Sequence, residues 1–321
     1  MNKSFKSIRV GITIGDPSGI GPSIAAKAVS AFRGSVKFFI IGDRWVFEKS
    51  GGSGVLRLPG VKFLDLENIK RRDFRFGKIR PEYGKASVEY LDEATRLLKA
   101  GEIDCIVTCP VSKEAINLAG YNLQGQTEYF QKKASVKDTV MMLLNRYLRF
   151  SLATRHIPIK DVSRALTPEK LYRTVLITRQ SLKKLFKIKN PRIVVAGLNP
   201  HASDNGVIGC EENRSIRPVV KRLQRRFRSI EGPISSDIAV KKAKDGAYDC
   251  VIAAYHDQAL IALKLTDVST GVNLTLGLPF VRTSPLHGTA FDIAGTDRAQ
   301  PDSLVHAIMT ACLCTSSQKK D

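Results

Sequence analysis

Ile8-Arg9-Val10-Gly11-Ile12-Thr13-Ile14, then Gly15-Asp16-Pro17-Ser18-Gly19-Ile20-Gly21-Pro22, then Ser23-Ile24-Ala25-Ala26-Lys27-Ala28-Val29 is the stretch that decides the fold. An apolar, β-branched run runs into a Gly/Pro turn, and the turn opens a helical pattern. That is one β-α unit, and the unit recurs. Strand patterns follow at 36–41, 61–64, 104–108, 139–144, 149–154, 192–196, 250–254 and 272–275. Helical patterns lie at 20–29, 86–100, 113–119, 128–134, 168–186, 211–227, 237–244, 258–265 and 303–314. Such alternation predicts an α/β fold with mostly parallel, helix-covered sheets. No tandem repeat or low-complexity linker marks a domain boundary. Gly51-Gly52-Ser53-Gly54 reads as a surface loop.

Composition narrows the class. The chain has 321 residues, enough for two domains, and is 43% hydrophobic, as ordinary globular proteins are. No apolar run approaches the ~20 residues that cross a bilayer. The start, Met1-Asn2-Lys3-Ser4-Phe5-Lys6-Ser7, leads into a strand and lacks a secretory pattern, so a cytoplasmic protein is expected. Six cysteines include no Cys-x-x-Cys pair and read as buried, reduced thiols. The net charge of +21 is spread along the chain, as in Lys70-Arg71-Arg72, Lys183-Lys184, Arg225-Arg226 and Lys319-Lys320. With no zinc finger or aromatic-interleaved basic stretch, it reads as a solvated surface rather than a nucleic-acid site.

Chemistry concentrates at strand ends. Three of the five histidines, His156, His201 and His256, each follow an apolar run. Ligands of open α/β sheets collect at the carboxyl ends of strands. Three imidazoles there would form an open metal site, and each alone could equally orient a local loop. Asp257 could orient a ligand imidazole or cap a helix. The Gly15–Pro22 turn could hold an anion on a helix start, or be a tight structural turn. Lys264, Asn273 and Arg282 could anchor a phosphate or carboxylate. His287 opens a further polar turn.

Several ordered motifs then converge. They are the Gly15–Pro22 turn, Thr108-Cys109-Pro110-Val111-Ser112-Lys113, Gly125-Gln126-Thr127-Glu128, Leu198-Asn199-Pro200-His201-Ala202, Tyr255-His256-Asp257-Gln258, and the run from Val272 to Ser284. In these the chain resembles the 4-hydroxythreonine-4-phosphate dehydrogenases of pyridoxal-phosphate biosynthesis, the PdxA family. The resemblance implies a two-domain fold similar to isocitrate and isopropylmalate dehydrogenases. One domain would take residues 1–130 and 268–321, the other 131–267 with the metal histidines. The active site would lie in the cleft and at a homodimer interface. It implies a divalent metal (Zn, Mg or Co) on His156, His201 and His256, and NAD or NADP as oxidant. Gln126, Thr127, Lys264, Asn273 and Arg282 would contact substrate, with Lys264 and Asp257 as catalytic candidates. Asp257, Asp237 or a water would accept the proton.

The implied reaction oxidises 4-phosphooxy-L-threonine to 2-amino-3-oxo-4-phosphooxybutanoate, which decarboxylates to 3-amino-2-oxopropyl phosphate. Threonate or erythronate 4-phosphate is the alternative substrate, and nucleic-acid binding on an enzyme fold the remote one. The chain departs from the family pattern in three places. Gln126 stands where the family has histidine, Ser23 where it has an acidic residue, and Ser203-Asp204 where it has Gly-Glu.

Overall fold

A computed structural model describes Phe5 and residues 7–32, 35–123 and 125–319. Most of the basic N-terminal lead, and Lys320, lie outside the described residues. The strands are β1 Arg9–Thr13, β2 Lys37–Gly42, β3 Val61–Asp65, β4 Cys105–Thr108, β5 Val140–Leu144, β6 Arg149–Leu152, β7 Ile193–Ala196, β8 Ile230–Ile234, β9 Cys250–Ala253, β10 Val272–Leu276 and β11 Val281–Pro285. The chain divides into two compact units, Met1–Ser135 with Leu278–Asp321, and Val136–Gly277. The expected boundary at 267/268 falls before β10. That strand pairs antiparallel with β5, which puts it in the second unit.

In the first unit the strand order is β3-β2-β1-β4-β11, and every pairing is parallel. Parallel central strands are buried on both faces, which is why they read as continuous apolar runs. Val10, Ile12, Ile40, Ile106 and Val107 are all fully buried or nearly so. Each such side chain stabilises the fold by ~1.5–3 kcal/mol. The helix Pro81–Lys99 packs on β1, β2 and β4 through Tyr83, Tyr90, Leu91, Ala94 and Leu97. It begins earlier than the expected residue 86, with Pro81 in its first turn, where a missing N–H costs nothing. The helix Asp302–Gln318 packs on β4 and β11.

In the second unit the order is β10-β5-β6-β9-β7-β8. Only the two pairings of β5 are antiparallel. The β5–β6 hairpin turns on Asn145, whose Oδ1 accepts the N–H groups of Tyr147 and Leu148, both at 2.9 Å. Its Nδ2 donates to Leu263 O and Thr266 Oγ1, tying the hairpin to the helix His256–Asp267. That helix carries three of the expected site residues. Among the described residues no helix is long and apolar enough to cross a membrane.

Candidate active site

In the first unit the chemistry gathers past the carboxyl ends of β1 and β4, with Arg282 reaching in from the second position of β11. Side chains alternate along a strand. Thr283 Oγ1 donates to Ala307 O of the helix Asp302–Gln318, so Arg282 faces the other side of the sheet. There Arg282 is 2% exposed. Its Nη2 donates to Thr108 Oγ1 at 2.7 Å and to Gln126 Oε1 at 3.0 Å. Its guanidinium lies over the Phe130 ring, 5.7 Å from the centroid. Burial lowers its pKa to about 10, against the opposing field of Glu128, so it stays cationic at neutral pH. Gln126 opens the helix Gln126–Lys133, and its Nε2 donates to Cys109 O at 3.0 Å. Thr127, the next residue, is buried. The structure thus joins two expected substrate residues, Gln126 and Arg282, directly. It adds Thr108, which sequence reasoning missed although its motif was conspicuous.

The Gly15–Pro22 turn is filled by its own side chain. Asp16 is fully buried, and its Oδ1 accepts Ser18 N–H at 2.9 Å and Ser18 Oγ at 3.0 Å. Burial raises its carboxyl to about 6. A Cβ on Gly15 would stand 2.2 Å from Pro110 O, and the residue has φ +75°, so only glycine fits. Of the two readings of this turn, the tight structural one matches its internal bonding. His287 is half-buried, with Nδ1 3.1 Å from Gly288 O, and burial lowers its pKa.

In the second unit β6, β9 and β7 are parallel neighbours, so their carboxyl ends share one edge. His156 follows β6, His256 follows β9 and His201 follows β7. Thr154 Oγ1 donates to Ala254 O at 2.6 Å and locks the first two ends together. The His156 and His256 ring centroids are 5.2 Å apart. Asp257 Oδ1 lies 2.9 Å from His256 Nδ1, which leaves Nε2 as the nitrogen for a ligand. Gln258 ties the same edge together, accepting Ala254 N–H and donating to Gly197 O and Ser236 Oγ.

His201 sits in the segment Pro200–Gly206, where His201 to Asn205 all have φ between 43° and 67°. Left-handed backbone costs non-glycine residues roughly 1–2 kcal/mol each. The segment is anchored by Glu212, fully buried, whose carboxylate accepts Leu198 N–H, Asn199 N–H and Asn199 Nδ2. Sequence reasoning missed Glu212 and Gln258. Among the described residues, no group of three or more His, Cys, Asp or Glu stands close enough to hold a metal ion. The structure therefore pairs His156 with His256, and His201 is not grouped with them. The donor chemistry does fit a divalent cation, since imidazoles with one nitrogen engaged present the other as a neutral ligand.

Lys264 lies exposed on the helix His256–Asp267. Asn273 sits on β10 with Oδ1 buried and without a hydrogen-bond partner among the described residues. Asp237 accepts from Ser235 Oγ at 2.5 Å, which holds its carboxyl below the usual range.

A parallel α/β scaffold with imidazoles at neighbouring strand ends and a buried arginine bonded to side-chain oxygens belongs to the class of enzymes acting on small anionic molecules. The chain is a member of the PdxA family, the pyridoxal phosphate biosynthetic proteins, whose model matches residues 35–311. It is 39% identical to a 4-hydroxythreonine-4-phosphate dehydrogenase of Sulfurihydrogenibium sp. (strain YO3AOP1), over 97% of this chain and 100% of the other. It is 34% identical to a Clostridium botulinum protein provisionally named D-threonate 4-phosphate dehydrogenase, over 97% of this chain and 98% of that one. The solved 4-hydroxythreonine-4-phosphate dehydrogenase of Klebsiella pneumoniae superposes with a TM-score of 0.84 at 30% identity, covering 96% of this chain and 98% of that one.

Proposed function

We propose that this chain oxidises 4-hydroxythreonine 4-phosphate with NAD or NADP, giving 2-amino-3-oxo-4-phosphooxybutanoate, which loses CO₂ to leave 3-amino-2-oxopropyl phosphate. The observation that carries this reading is the buried Arg282, held by Thr108 and Gln126, in a member of the PdxA family. A fixed guanidinium in a water-poor site suits a phosphate dianion far better than a surface lysine does.

Oxidation takes a hydride from the carbinol carbon and a proton from its hydroxyl. Decarboxylation then breaks the bond to the carboxyl carbon, and that electron pair passes into the neighbouring carbonyl. Arg282, with Thr127, binds the phosphate. Lys264 and Asn273 are assigned to substrate contacts as well. His156 and His256 would hold a divalent cation, with His201, not grouped with them here, as the third ligand the family resemblance implies, and such nitrogen donors suit Zn²⁺ or Co²⁺ better than Mg²⁺. When bound, the cation would act as a Lewis acid toward the hydroxyl and the nicotinamide would accept the hydride. Asp257 and Lys264 are the groups we assign to proton handling. Asp237 is the weaker base, because the Ser235 hydroxyl stabilises its carboxylate.

We also read the protein as a homodimer. Ile261, Leu265 and Val268, 61%, 83% and 55% exposed, line one side of the helix that carries Lys264, an apolar face suited to a second copy. No disulfide joins its six cysteines, all of them among the described residues, and five are buried, which suits a reducing compartment such as the cytoplasm.

Threonate 4-phosphate is the second reading, favoured by the Clostridium relative and by Gln126. The deciding experiment follows NAD or NADP reduction with both substrates, using chelator-treated protein re-supplied with Zn²⁺, Co²⁺ or Mg²⁺. Turnover of 4-hydroxythreonine 4-phosphate in preference to D-threonate 4-phosphate is expected. Reversed preference selects the second reading, and no reduction of either nucleotide with any metal refutes both.

A further inference from the structure

We propose that Gln126 is a positioning residue for Arg282: its carboxamide bridges the Cys109 carbonyl and the guanidinium, and so fixes the plane in which the cation is offered to an anion. The inference rests on the phosphate-binding reading of Arg282 and goes beyond it by assigning Gln126 an indirect role.

A backbone carbonyl only accepts, so the Gln126 –NH₂ must face Cys109 O, and the bond is 3.0 Å long. The amide oxygen is thereby turned toward Arg282, which only donates, at 3.0 Å from Nη2. The two contacts select one orientation of the amide between them. The same Nη2 also donates to Thr108 Oγ1 at 2.7 Å. That hydroxyl, acting as acceptor toward arginine, keeps its own proton to donate elsewhere.

The surroundings explain why a neutral side chain belongs here. Glu128, two residues on, already places a carboxylate field on Arg282. At Gly125, the position a Cβ would take lies 3.0 Å from Glu128 Oε2 and 4.0 Å from Lys113 Nζ. A carboxylate at 126 would neutralise the guanidinium, and a cation would repel it. Glutamine supplies an acceptor without charge, so Arg282 is oriented and no second carboxylate is added to Glu128. Gln126 works on the anion through Arg282, and the two residues should behave as one energetic unit.

A double-mutant cycle tests this, read by calorimetric titration of sulfate into the full-length protein without substrate, and in parallel by steady-state kinetics. Gln126→Ala is expected to weaken sulfate binding and raise KM together by about tenfold, the scale of one hydrogen bond to a charged group, with kcat within about twofold. Gln126→Met, which keeps the volume, should match it and covers the case in which the alanine variant unfolds. In the Arg282→Lys background the same replacements should add less than about twofold.

A full tenfold loss on top of Arg282→Lys would mean that Gln126 touches the anion itself, and the proposal falls. Sulfate affinity unchanged in both Gln126 variants overturns it as well. The phosphate-site reading fails separately, by Arg282→Lys leaving sulfate affinity unaltered.

Discussion

Replacing Asp16 with asparagine should stabilise the protein at alkaline pH and do almost nothing in acid. Asp16 is fully buried, and its Oδ2 has no hydrogen-bond partner among the described residues. Burial outweighs the bonds from Ser18 and from the Ser112 backbone, and its pKa rises from 3.8 to about 6. The rise corresponds to ~3 kcal/mol of preference for the neutral form. The folded value lies above the unfolded one. The stabilisation is therefore complete below about pH 4 and is lost as pH rises through about 6. An asparagine is neutral throughout and escapes that loss. The Ser18 bonds are already contained in that shift, so the net expectation is ~3 kcal/mol of added stability at about pH 8, or roughly 5 °C in the melting transition. Near pH 4 the two proteins should melt within about 2 °C of each other. Thermal denaturation followed by circular dichroism across this range is the assay. An equal shift at both ends, or a variant less stable at pH 8, would show that the buried carboxyl is not the source of the effect.

Arg282→Lys should keep the charge but lose the fork that reaches Thr108 and Gln126, raising KM for the phosphorylated substrate by about 10- to 100-fold; an unchanged kcat/KM would remove its role. His156→Ala and His256→Ala should each lower the Zn²⁺ retained after gel filtration, while His287→Ala should not. Metal analysis of the purified proteins decides this without any activity assay. Leu265→Glu places a charge at the most exposed apolar position of the helix His256–Asp267 and should convert a dimer to monomers in sedimentation velocity; an undisturbed dimer would move the interface elsewhere.

The alternation of strands and helices was legible because a buried parallel strand is a short apolar run, and such runs also located the three strand-end histidines. Elements went unread where a local rule was broken. Strand β11 was hidden by Gly277 and Pro279 before it, by Pro285 at its end and by an arginine within it, since a charged residue in a strand normally argues against burial. It is tolerated because Thr108 and Gln126 accept from the guanidinium. Strand β8 contains Gly232 and Pro233, which read as a turn. The helix Ile159–Ala165 is too short for its period to register. One anchor of the site was invisible for another reason. Glu212 holds a loop through backbone contacts, so no local pattern betrays it, whereas Gln126 was named as a substrate contact and only its bond to the distant Arg282 went unread.

The three departures from the family pattern can be ranked by what their side chains reach. Ser23 is buried within the helix Gly21–Phe32, away from any expected site residue's hydrogen bonds. Ser203 and Asp204 lie in the left-handed run around His201, where the change acts on backbone shape, because glycine would adopt such angles without cost. Gln126 alone bonds directly to an expected substrate-binding residue. Histidine there would exchange charge with pH next to a fixed cation, and glutamine cannot. If Arg282 binds the phosphate as proposed, a change in substrate preference would be felt first at Gln126, through the angle at which the guanidinium is held.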